Sequence, residues 1–114
     1  MPEPRRGEVW YGDLDPTRGH EQAGTRPVLI VSDNNLNSSA AGLVIAVPFT
    51  TRERRVPFHV EVQPPEGGLK QRSFAKCEDV RSLSVERLKS RIGYVTEETL
   101  KAVEFHLKRL LRIR

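Results

Sequence analysis

The sequence predicts a small, mainly β domain: a partly closed antiparallel β-barrel with α additions, ending in one helix. Short segments rich in β-branched and aromatic residues recur along the chain, turn-forming residues separate them, and helical periodicity is convincing only near the end. The 114 residues suffice for one core and not for two, so residues 1–114 are read as a single domain.

Gly7 to Asp13 (GEVWYGD) is rich in β-formers and Asp15-Pro16 breaks it, which makes a first strand. Leu14 to Arg26 is then a polar stretch longer than a routine turn, with Gly19 and Gly24 around His20, Glu21 and Gln22. It is either a functional loop or a mobile connector. Pro27 to Ser32 (PVLIVS) and Leu43 to Phe49 (LVIAVPF) are continuous apolar runs of the kind found in buried strands, joined by a polar connection around Asn34, Asn35 and Asn37. If the two runs form an antiparallel hairpin, Arg26 comes to lie near Thr50.

Phe58 to Val62 alternates as a half-exposed strand does, and Ser73 to Val80 makes a less regular one. Pro64-Pro65 and Gly67-Gly68 punctuate the gap between them. Ser84 to Lys89 suits a single helical turn, and Ile92 to Val95 a final strand. Thr96 is then a fitting N-cap, with Glu97 and Glu98 in the first turn and Lys108, Arg109 and Arg112 near the end. Leu100, Val103, Leu107 and Leu110 share one helix face, which is expected to pack on the sheet.

A content of 37% hydrophobic and 30% charged residues is that of an ordinary globular domain. No apolar run approaches the roughly 20 residues that span a bilayer. The stretch from Met1 to Arg6, with Pro2 and Pro4, leads into no hydrophobic targeting segment. The expectation is a cytoplasmic protein with no membrane partner. Nineteen basic against fifteen acidic residues give +4, which suits a polyanionic partner but is also common among proteins that bind none. Arg52, Arg54 and Arg55 crowd one predicted loop, and Lys70 and Arg72 another.

Cys77 is the single cysteine, which excludes an intramolecular disulfide; a reduced, half-buried thiol is expected. Trp10 and Tyr11 alternate in the first strand, and Trp10 is read as core filling. His59 and His106 show no metal-ligand spacing with a cysteine or carboxylate; both are read as structural, and neither metal nor cofactor is expected.

Arg6 to Val31, RGEVWYGDLDPTRGHEQAGTRPVLIV, strongly resembles the opening of the MazF/PemK/Kid toxins, whose pattern runs RGEVW, DLDPT, then G-x-EQ-x-G-x-RPVLIV. VPFTT at 47–51 resembles the family's VP-x-T-[ST], PFHV at 57–60 its next strand, and CEDVRSLS at 77–84 its C-[DE]-Q-x-R-[ST]-[IL] element. The resemblance implies an SH3-like barrel with a C-terminal helix, a homodimer, and sequence-specific, metal-independent cleavage of single-stranded RNA. Attack by the 2′-hydroxyl would leave a 2′,3′-cyclic phosphate and a 5′-hydroxyl. It further implies a type II toxin-antitoxin system, in which a MazE-like antitoxin inhibits a toxin that arrests growth.

Arg26 matches the family's catalytic arginine; its planar fork suits phosphate oxygens, while its high pKa leaves a general-acid role open. Thr50 matches the catalytic threonine, whose hydroxyl can donate to a phosphate oxygen or orient the 2′-hydroxyl. His20 and Glu21 can act as base or orient substrate, and Glu21 can instead hold the loop. Lys76 and Glu78 stand where the PemK/Kid branch has an arginine and an aspartate used as acid and base. On a regular strand both would project from one face, as a working dyad or a plain ion pair. Arg18, Gln22, Thr51, Arg52 and Arg54 are the expected RNA-binding residues.

A CcdB-like gyrase poison shares the fold, but that branch is expected to end Trp-Gly-Ile and lacks the signature present at Glu21 to Pro27; here the last residues are Arg112, Ile113 and Arg114. A non-catalytic nucleic-acid-binding barrel is the third reading, and retention of Arg26 and Thr50 argues against it.

Overall fold

The two apolar runs and the first β-rich segment become adjacent antiparallel strands, β1 (Glu8–Asp13), β2 (Thr25–Ile30) and β3 (Leu43–Thr50), in a computed structural model that describes residues 3–114. Met1 and Pro2, part of the N-terminal stretch read for targeting, lie outside the described residues. Four further strands follow: β4 (His59–Val62), β5 (Ser73–Lys76), β6 (Arg81–Ser84) and β7 (Leu88–Tyr94). The sheet runs β4-β5-β3-β2-β1-β7, with β6 pairing the first half of β3. The outermost strands β4 and β7 form no ladder with each other among the described residues, so the barrel is a curved sheet left open along one seam.

The apolar run of β2 and that of the second half of β3 are covered on both faces, whereas the start of β3 leaves Leu43 and Ile45 exposed. Val9, Leu29, Val47 and Phe49 enter one buried cluster, and Trp10, Val28, Ile30, Val44 and Ala46 enter another on the opposite face. Side chains alternate along a strand, so one sequence fills two layers. Fully burying an aliphatic or phenyl side chain is worth about 1.5–3 kcal/mol, and Val28, Leu29, Ile30, Val44 and Val47 are completely inaccessible. Trp10 fills the core as expected, and its ring N–H donates to a Glu8 carboxylate oxygen at 3.1 Å.

Helix α2 (Glu97–Leu111) covers the first cluster with Val103, flanked by Leu100, Leu107 and Leu110. Its start is as predicted: the Thr96 hydroxyl accepts from the Thr99 N–H at 3.1 Å. Arg112 then ends it in the left-handed conformation. No helix among the described residues is long and apolar enough to cross a membrane.

Several local expectations need correction. The polar connection after β2 contains a one-turn helix α1 (Asn34–Asn37), because the Asp33 carboxylate caps it from Asn35 N–H at 2.9 Å. The segment from Ser73 to Val80 is not one strand: β5 stops at Lys76 and Cys77–Asp79 forms a 3-10 turn. Strand β6 went unrecognised because Arg81 to Ser84 is short and polar; only pairing with β3 defines it. The helical turn expected after Ser84 is present as a 3-10 turn over Val85–Arg87, and the last strand begins four residues earlier than expected, at Leu88. Cys77 is wholly rather than half buried, and that burial, with the Glu78 charge adding to it, pushes the thiol up to about 12.

The double glycine packs rather than merely flexes. Gly68, at φ 69°, sits so close to β7 that an added Cβ would stand 1.8 Å from the Ile92 carbonyl oxygen. Gly68→Ala should therefore cost roughly 3 kcal/mol or more, from overlap and backbone strain together. A lowered urea midpoint would show it; an unchanged midpoint would mean that this turn does not brace β7.

Candidate active site

Strand register brings the first two site residues together. Gly12 pairs with Arg26, Val28 with Pro48, and Thr50 with Phe74. Continuing the β2–β3 register by two residues sets Arg26 opposite Thr50, as the hairpin argument anticipated. Both line one cleft of about 340 Å³ between the loop after β1 and the loop after β3.

Arg26 is half-buried, and its Nε donates to the Ala23 carbonyl at 3.1 Å, which aims the guanidinium. Among the described residues no carboxylate lies within ion-pair distance of it. Its two terminal amines thus remain available for an anion. Thr50 is 7% exposed, and its Oγ1 accepts from the Arg52 N–H at 3.2 Å. That contact occupies a lone pair and leaves the hydroxyl proton free to donate.

The long loop forms one wall of the cleft and is tied down by hydrogen bonds. Leu14 N–H donates to the Gly24 carbonyl at 3.0 Å, closing its base. From across the cleft, the Asp79 carboxylate accepts from Gln22 N–H at 2.7 Å, and the Lys76 ammonium donates to the His20 carbonyl. Burial raises the Asp79 carboxyl above its ordinary range, while the Gln22 N–H and the Lys76 charge pull it down. Glu21 lines the cleft and accepts from the Arg18 N–H at 2.7 Å, a contact within the loop. His20 is exposed on the cleft.

The Lys76–Glu78 expectation fails. The chain leaves the strand at Lys76, and the following 3-10 turn carries Glu78 off the face that Lys76 shares with the cleft. Lys76 has Asp79 as its carboxylate neighbour, at 3.9 Å, whereas Glu78 accepts from His59 Nε2 at 2.8 Å. His59, read as structural, is held by this contact with Glu78. Its side chain is only 4% exposed yet forms part of the cleft wall, and its Nδ1 is buried without a partner among the described residues. It stands opposite Lys76 in the β4–β5 register, which places it beside the cleft. His106, on α2, lies outside the cleft and packs edge-on against Phe105.

Gln22, Thr51, Arg52 and Arg54 line the cleft as expected; the Arg18 side chain is not part of its wall. Arg26, Arg52, Arg54 and Lys76 face it against Glu21 as the single acidic residue, so the wall selects for an anion. No group of three or more His, Cys, Asp or Glu side chains among the described residues is placed to hold a metal ion. A second cleft of about 220 Å³ shares Arg26, Thr50 and Thr51 with the first and adds Tyr11, Lys70 and Gln71 to its lining.

Asp79→Ala would leave the Gln22 N–H without its acceptor and Lys76 without its counter-charge. It should cost about 1–2 kcal/mol and expose residues 14–24 to limited proteolysis. A loop as protease-resistant as before would show that Asp79 does not hold it.

Residues 5–111 match the family described as PemK-like, MazF-like toxin of type II toxin-antitoxin system. The endoribonuclease MazF9 of Mycobacterium tuberculosis is 38% identical over 109 residues, covering 91% of this chain and 92% of that protein. The crystal structure of MazF from Deinococcus radiodurans superposes with a TM-score of 0.87 at 28% identity, over 98% of this chain and 99% of that one. A mycobacterial endoribonuclease solved with its cognate antitoxin gives a TM-score of 0.78 at 27% identity, over 100% and 98% of the two chains. With the family match spanning nearly all of its length, this chain belongs to the PemK/MazF family of type II toxins.

Proposed function

We propose that this chain is an RNA-cleaving toxin that cuts single-stranded RNA by internal attack, with Arg26 and Thr50 acting on the scissile phosphate. The observation that carries the reading is a guanidinium with no carboxylate partner standing opposite a threonine whose proton is free, in a cation-lined cleft. A relative at 38% identity is an endoribonuclease, which supports the same activity here.

In this mechanism the 2′-oxygen attacks the adjacent phosphorus and the bond from phosphorus to the 5′-oxygen breaks. The 2′-proton leaves, the 5′-oxygen gains a proton, and the products are a 2′,3′-cyclic phosphate and a 5′-hydroxyl. Arg26 donates to the non-bridging oxygens as negative charge builds on them, and Thr50 adds a donor held in place by Arg52 N–H. His20 is exposed at the cleft and carries a group able to take the 2′-proton; Glu21 shapes the loop that presents it. The positive charge that a metal supplies in other nucleases comes here from Arg26, Arg52, Arg54 and Lys76, so the reaction proceeds without a divalent ion.

The working form is a homodimer in the cytoplasm, where RNA is the target. Leu43 and Ile45 on β3, and Phe105 and Leu111 on α2, are exposed apolar side chains that a second copy of the chain would cover in such a dimer. A MazE-like antitoxin inhibits the toxin, and the cation-rich cleft is suited to an acidic, disordered segment of such a partner. Base selectivity resides in the residues that flank the scissile phosphate.

The test is incubation with a long single-stranded RNA in EDTA, followed by mapping of the ends. Discrete cuts with cyclic phosphate and 5′-hydroxyl termini are expected, and intact RNA would remove the enzyme reading. Arg26→Ala should lower kcat/KM by at least about 100-fold, the scale of losing one transition-state donor, with the melting temperature unchanged. Retained cleavage would refute the role given to Arg26. Replacing the 2′-hydroxyl at the cut position by hydrogen should block cutting, and efficient cleavage of that RNA would exclude internal attack.

A further inference from the structure

We propose that the second cleft is a nucleobase subsite, in which a base adjoining the cut stacks on the Tyr11 ring and is read by Gln71; the proposal rests on the RNA-cleaving reading above. The two clefts share only Arg26, Thr50 and Thr51, which form the ridge between them. A phosphate held on that ridge has one nucleoside on each side. A strand crossing it must therefore place one neighbour toward the loop cleft and the other toward the second cleft.

The two clefts differ in chemistry. Arg26, Arg52, Arg54 and Lys76 stand among mostly polar residues in the first, which suits the sugar-phosphate chain. Tyr11, Pro27, Phe49 and Leu69 give the second an apolar floor, with Lys70 and Gln71 at its rim. An apolar floor with one aromatic ring and an amide at the edge fits the flat face and polar edge of a base.

The fold presents these groups deliberately. Trp10 buries its ring in the second core cluster, so alternation turns Tyr11 to the other face. Tyr11 pairs with Pro27, and the register of β2 with β3 carries that row on to Phe49, so the floor is one cross-strand row. Tyr11 stays half-buried at its end, giving a ring fixed by the sheet and open on one side. On the rim, the Gln71 carbonyl accepts from the Ser73 hydroxyl at 2.9 Å, which fixes the backbone while the residue remains exposed. The neighbouring Arg72 is occupied: it donates to Glu61 at 2.7 Å and lies over the Phe74 ring at 5.0 Å. Lys70 is thus the cation that this loop offers to the next phosphate.

The proposal predicts an effect local to one nucleotide. kcat/KM would be measured for the wild type, Tyr11→Ala, Tyr11→Phe and Gln71→Ala on an RNA with a single cut site. The same RNA carrying one abasic residue at each position around the cut completes the set. Tyr11→Ala should lose about tenfold on intact RNA, and Tyr11→Phe almost nothing. That loss should vanish when the base on one particular side of the cut is missing and persist when any other base is removed. Gln71→Ala, at an exposed position, should weaken base preference at that same nucleotide. A Tyr11→Ala loss equal across all the abasic substrates would overturn the proposal. So would Gln71→Ala with unchanged preference at both positions flanking the cut, which decides the matter even if Tyr11→Ala does not fold. Failure of the wild-type protein to cut any RNA would instead overturn the functional reading on which the subsite rests.

Discussion

The antiparallel register of β2 with β3, Val28 against Pro48 and Leu29 against Val47, determines where the guanidinium and the hydroxyl stand. Slipping that register by one residue would turn Arg26 to the face opposite Thr50 and would also reverse the faces of Val28, Leu29 and Ile30. Both faces of these strands are packed, one against α2 and the other against Leu83 and Leu88, so a slipped pairing would meet a mismatched core on each side. The aim of two polar groups at the end of a hairpin is thereby enforced by aliphatic burial several residues away.

Beside that pair, several long-range polar contacts hold the cleft wall formed by the loop after β1. Asp79, Lys76 and Arg81 reach from the β5–β6 region to backbone atoms of the loop after β1. Arg87 reaches the backbone at its root from the other side. Such ties order a thirteen-residue stretch, read in sequence as Leu14 to Arg26, that has no ladder of its own over most of its length. The ties leave Arg26, Arg52 and Arg54 without carboxylate partners among the described residues. A set of cations without carboxylate partners around one cleft is suited to an external polyanion.

Much of this was legible in the chain. Apolar runs at Pro27 to Ser32 and Leu43 to Phe49 resemble well-buried strands, and antiparallel pairing of the two then juxtaposes Arg26 and Thr50. The C-terminal helix was legible because its cap, its charge gradient and its apolar stripe agree. What stayed hidden depends on contacts between distant residues. Nothing local distinguishes Arg81 to Ser84 as a strand, and the 3-10 turn at Cys77–Asp79 follows from burying Cys77 rather than from any turn residue. That turn is why Glu78 went to His59 instead of Lys76, and why Asp79, not singled out beforehand, became the carboxylate that holds the loop. Tyr11 follows the alternation read in the sequence, on the face opposite the buried Trp10, but only the register of β1 with β2 shows that it stands beside Pro27.

The central claim is that Arg26 and Thr50 act on one and the same phosphate, and a double-mutant cycle on cleavage tests it most directly. kcat/KM is measured for Arg26→Ala, for Thr50→Val, which keeps the buried volume, and for the double variant. Groups that stabilise a single transition state are coupled, so the double variant should lose several-fold less than the product of the two single losses. Losses that multiply independently, or a Thr50→Val enzyme as fast as the wild type, would contradict the account.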